Sequence, residues 1–66
     1  MTIKEKLASF TENGISISFI ANKMGVDPST LSKWLRGEKG ITHKNEDKVL
    51  TTLQQLVKDY QTFLEG

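Results

Sequence analysis

The chain has 66 residues, no cysteine, 36% apolar and 26% charged residues, and a formal net charge of +1. That length excludes a second domain, and the missing thiols exclude a disulfide framework, a cysteine-based zinc site and a cysteine nucleophile, so a core this small needs efficient helix packing or a partner copy. No stretch nears the roughly 20 apolar residues of a membrane span, and Met1 to Phe10 lacks the basic start and apolar centre of a signal peptide, so a cytoplasmic protein is expected.

Ile3, Leu7 and Phe10 recur at i, i+4 and i+7 with polar residues between them, which predicts a short amphipathic helix over about 3–12. Thr2 or the terminus starts it, and Asn13-Gly14 ends it.

The next segment reads two ways. Ile15, Ile17 and Phe19 alternate with Ser16 and Ser18 as a half-buried strand does, but the alternation breaks at Phe19-Ile20-Ala21. Ile17, Ile20, Ala21 and Met24 fall instead at i, i+3, i+4 and i+7, which favours a helix capped by Ser16 and closed by Gly25.

The third helix carries the firmest local signals. Asp27 is a favoured cap, Pro28 occupies the first helical position, where its missing N–H costs nothing, and Gly37 lies just past the end, giving a span near 28–36. Leu31, Trp34 and Leu35 form its apolar face. Ser29, Ser32, Lys33 and Arg36 form a polar, basic one.

After the Gly37-Glu38-Lys39-Gly40 loop, Ile41 and Thr42 read as a residue before a cap and the cap itself. A helix of some 20 residues then runs over about 43–64 with no glycine or proline. Val49, Leu53, Leu56, Tyr60 and Phe63 alternate spacings of four and three, flanked by Leu50, Val57 and Leu64. Such a helix is roughly 30 Å long, about the width of the whole domain, so its last turns should outrun the core.

The near-neutral total hides a division along the chain. Residues 16–44 carry five cations against Asp27 and Glu38, a net +3, while 45–66 carry two against four anions, a net −2. A basic centre suited to an anion is succeeded by an acidic end with another task.

Ile20-Ala21, Gly25 four residues later, Val26 next, Leu31 six residues after the glycine and Trp34 three further on resemble the lambda-repressor/Cro-like (XRE-type) helix-turn-helix family over residues 16–37. The resemblance implies a compact all-α domain of four helices, or five, with a central helix-turn-helix and a long C-terminal helix. It implies a sequence-specific DNA-binding regulator, a small bacterial or phage repressor-type protein, whose second motif helix enters the major groove of double-stranded DNA. Carried over by position, Pro28, Ser29, Ser32, Lys33 and Arg36 face base edges. Asp27 caps its helix, with a cytosine amino group as a second candidate partner. Ser16, Ser18, Asn22, Lys39, Thr42, His43 and Lys44 face phosphates. The chain departs from the family at Ile17, where many members place a DNA-contacting glutamine, and at Phe19, usually polar, which is expected to pack on the first or last helix.

A homodimer through Leu56, Tyr60, Phe63 and Leu64 is expected, because Tyr60, Phe63 and Leu64 lie too far along the last helix to reach the core, while Leu56 at the boundary can also pack with Val49, Leu50 and Leu53 on the same chain; a palindromic operator suits such a dimer. The competing reading is a helical adaptor or inhibitor that uses the same fold to bind a protein. An enzyme is not expected, since the acids are scattered and no nucleophile pairs with a base at helical spacing. Neither a cofactor nor a metal is implied. His43 stands alone without neighbouring ligands, and the Gly37–Gly40 loop lacks the spacing and Lys-Ser/Thr ending of a phosphate loop.

Overall fold

The computed structural model describes residues 1–65 as four α-helices in chain order, α1 (Ile3–Glu12), α2 (Ile17–Met24), α3 (Pro28–Leu35) and α4 (His43–Glu65). Each start is set by a local cap. At α1 the Thr2 hydroxyl accepts from the Glu5 N–H (3.1 Å) while the Glu5 carboxylate accepts from the Thr2 N–H (2.9 Å), a reciprocal capping box. The Ser16 hydroxyl accepts from the Ser18 and Phe19 N–H groups at α2, so the helical reading of that segment holds over the strand. Thr42 accepts from the Asn45 N–H (3.2 Å) to open α4.

Between α2 and α3 the chain turns at Gly25, whose φ of 74° lies in the left-handed region. A Cβ there would meet open space, so the requirement for glycine is conformational rather than steric. The Val26 N–H donates back to the Ala21 carbonyl (3.0 Å), and Asp27 then caps α3 by accepting from the Ser29 N–H (2.9 Å). Two short helices are thereby locked at a fixed angle by backbone bonds that span only a few residues.

The core is formed by Leu7, Ile20, Ala21, Met24, Leu31, Trp34, Val49, Leu53 and Leu56, with Ile15, Ile17, Val26, Leu35 and Ile41 packed around it. Helix α2 is packed on both α3 and α4, and α1 packs on α4, with the Lys4 ammonium 5.8 Å from the centre of the Trp34 ring on α3. Ala21 is fully buried, and its small side chain lets α2 and α3 approach closely. Among the described residues no buried side-chain polar atom lacks a hydrogen-bond partner.

Helix α4 outruns this core. The molecule measures 40 × 23 × 22 Å, and α4, with 23 residues, accounts for the long axis at about 1.5 Å per residue. Two expectations need correction here. Leu56, assigned to a dimer surface, is only 4% exposed and belongs to the protomer's own core. Phe19 does not join the core packed by α1 and α4; its ring stays exposed with the Lys23 ammonium 5.5 Å from its centre. The apolar surface left open on α4 begins at Val57 and continues through Tyr60 to Phe63 and Leu64, which are 82% and 83% exposed.

Candidate nucleic-acid interface

Helix α3 and its C-cap present Ser29, Lys33 and Arg36 on one exposed face, because their spacing of four and three returns each to the same side, while Leu31 and Trp34 anchor the opposite side in the core. Ser32 is half-buried at the edge of this face. Pro28 is half-buried at the first helical position and has no N–H to donate. The Asp27 carboxylate lies below the ordinary aspartate pKa, chiefly because it accepts from the Ser29 N–H, with the Lys33 and Lys39 charges adding to the effect. The fields of two lysines therefore reach the start of α3, where they add to that of the helix dipole.

Beside α3, an open cleft of about 450 Å³ separates it from the start of α4, lined by Val26, Thr30, Lys39, Ile41, Thr42 and Asn45. The structure thus brings Lys39 and Thr42 to the edge of α3. Lys44 goes elsewhere: it lines a groove between α2 and α4 with Lys23, Asp47 and Lys48. Ser18 and Asn22 are exposed on α2, and the Ser16 and Thr42 hydroxyls accept the capping bonds of α2 and α4. The His43 side chain is fully exposed, with Nδ1 3.7 Å from the Glu46 carboxylate.

A model of the helix-turn-helix family matches residues 3–45, from the first residue of α1 into the first turn of α4. The chain belongs to this helix-turn-helix family. The family is the XRE-type, lambda-repressor/Cro-like one that Ile20, Ala21, Gly25 and Leu31 resemble, and its members are DNA-binding regulators. No curated protein and no solved structure gives a significant match to the chain. Among the described residues no helix is long and apolar enough to cross a membrane.

Within this helix-turn-helix domain, three side chains escape a sequence reading. Thr30 and Asn45 border the cleft beside the second motif helix, but only the placement of α4 against α3 brings them together, and no local signal marks either. Glu38 is ion-paired to Arg36 through Oε2 and Nε, with both side chains more than half exposed.

The cap of the second motif helix has a pH signature. Because the Asp27 pKa is lowered in the folded protein, its stabilising contribution is complete above the unfolded aspartate value of about 3.9 and is lost as pH falls through the lower native value. Asp27→Ala is expected to melt below the wild type at neutral pH, with the gap closing as the solution is acidified. Asp27→Asn, which keeps a capping oxygen but not the charge, should melt between the alanine variant and the wild type at neutral pH. Thermal melts monitored by circular dichroism between about pH 2 and pH 7 test this, and a gap independent of pH would show that the carboxylate charge contributes nothing.

Proposed function

We propose that this protein is a sequence-specific transcriptional regulator, a small bacterial or phage repressor-type protein that acts by occupying its operator. Helix α3 lies in the major groove in this reading, with Ser29, Ser32, Lys33 and Arg36 at base edges and the Pro28 ring beside them. The observation that carries it is the exposed Ser29, Lys33 and Arg36 face, held on a helix whose other side is fully committed to the core. A rigid helix offering donors on one side only is what groove recognition needs, because Arg and Lys donate to guanine O6 and N7 and serine hydroxyls adapt to several acceptors.

Phosphates on either side are held by Ser16, Ser18 and Asn22 on α2 and by Lys39, Thr42, His43 and Lys44 around the start of α4, which fixes register without reading sequence. Selection from a pool of randomised duplexes tests the assignment. A defined recovered motif, bound with an affinity that falls as salt rises, supports it. A stoichiometric host protein captured in place of DNA, and retained after nuclease treatment, would favour the adaptor reading.

The functional unit in this proposal is a homodimer joined through the exposed end of α4. Tyr60, Phe63 and Leu64 lie beyond the protomer's core, and covering a large apolar side chain contributes about 1.5–3 kcal/mol. Two recognition helices related by a twofold axis then read a palindrome. Sedimentation equilibrium is expected to give a dimer for the wild type and a monomer for the Phe63→Ser/Leu64→Ser double variant, with the helix content of each protomer unchanged. A monomeric wild type across micromolar concentrations would rule the dimer out.

A further inference from the structure

Arg36 is the C-cap of the second motif helix, and the backbone beyond it is held by a tight set of bonds. Gly37 has a φ of 77°, its N–H donates to the Trp34 carbonyl (3.1 Å), and the Glu38 N–H donates to the Lys33 carbonyl (2.9 Å). These paired closing bonds reverse the chain at once and bring Glu38 back beside the helix end. Its carboxylate is more than half exposed, caps no helix, and accepts a hydrogen bond from Arg36 Nε. An acidic side chain beside a candidate base-reading arginine, on a surface facing a polyanion, needs an explanation that overall charge does not supply.

We infer that Glu38 is a specificity-determining residue that orients Arg36 for guanine, an inference that rests on the DNA-binding reading above. A guanidinium carries five donors in a planar fork. With Nε held by the carboxylate, the N–H groups at the far end of the planar fork stay free, one on each terminal nitrogen, and these are the pair that makes an end-on bidentate contact to guanine O6 and N7. The same carboxylate repels phosphate and lowers the effective positive charge of the site, so it weakens attachment to DNA of any sequence. In water such an exposed pair holds only loosely. Once the duplex covers it and water leaves, the lower dielectric strengthens it at the moment of base reading. Glu38 thus lowers general affinity and raises the selectivity of what remains.

The test compares wild type, Glu38→Ala, Glu38→Gln and Arg36→Ala by selection from randomised duplexes, then by affinity measurements on the recovered site and on an unrelated duplex at several salt concentrations. Arg36→Ala is expected to lose the guanine preference at one position of each half-site. Glu38→Ala should bind the unrelated duplex several-fold more tightly while its guanine preference at that position falls about tenfold. Glu38→Gln, whose amide oxygen still accepts from Nε, should gain in general affinity but keep most of the preference, which separates orientation from charge. Unchanged or increased guanine preference in Glu38→Ala overturns the inference while leaving the DNA-binding reading intact. A wild type that selects no duplex overturns both.

Discussion

Ile20→Ala is expected to leave much of the protein unfolded at moderate temperature. Ile20 has no solvent exposure and sits on α2, the helix that packs on both α3 and α4, so its truncation opens a cavity where two helix interfaces meet. Removing a buried aliphatic side chain to alanine costs about 2–5 kcal/mol. A domain of this length has only about 3–10 kcal/mol in total, at roughly 0.05–0.15 kcal/mol per residue. Each kcal/mol moves the midpoint of so small a domain by about 4–8 °C, so a fall of about 10 °C or more is expected. Thermal melts by circular dichroism report it, and the fluorescence of Trp34, buried in the same core, gives a second probe of the same transition. Phe63→Ala sets the contrast: that side chain is almost wholly exposed in the protomer, so its removal should leave the folding of a single copy nearly unchanged. An Ile20→Ala protein melting within a few degrees of the wild type would mean that the core rearranges to fill the space.

The second large effect concerns recognition. Lys33→Ala/Arg36→Ala is expected to weaken binding to the selected operator by on the order of 10²- to 10³-fold, because a specific contact of this kind contributes about 1–3 kcal/mol. Binding to unrelated DNA should fall much less, through two fewer phosphate-attracting charges and a shallower salt dependence. Both side chains are exposed, so the melting temperature should stay close to that of the wild type, and a loss of binding could not be assigned to unfolding. Ser29→Ala should have a smaller effect, since a hydroxyl donates to several acceptors with little selectivity. If the double variant binds the operator as the wild type does, α3 is not the reading helix.

Much of this fold is legible in the residues because its devices are local. Thr2 with Glu5, Ser16, Asp27 with Pro28, and Thr42 each satisfy orphan N–H groups within three residues, so the helix starts can be read from sequence alone. Gly25 is required by the sign of one backbone angle, and the strand-like alternation at Ile15, Ile17 and Phe19 yields to the helix because Ile20, Ala21 and Met24 extend the helical spacing into the core. The polar face of α3 comes from the same periodicity.

Residues whose environment depends on a neighbour distant in sequence are not legible in this way. Leu56 and Tyr60 occupy equivalent stripe positions one turn apart, yet one is buried and the other half exposed, because the short helices α1 to α3 extend only so far along α4. Lys39 and Lys44 are near neighbours in sequence, but the path of the chain into α4 sends one to the cleft beside α3 and the other to the groove along α2.

The order of residues is therefore enough to specify the helices, their caps, the tight turn between α2 and α3, and the family to which they belong, all set by bonds and angles within a few positions. Packing in three dimensions settles where the core ends along α4, that Phe19 stays outside it, and which of Lys39 and Lys44 lies beside α3, because burial and position depend on how far packed helices reach and which way the chain returns.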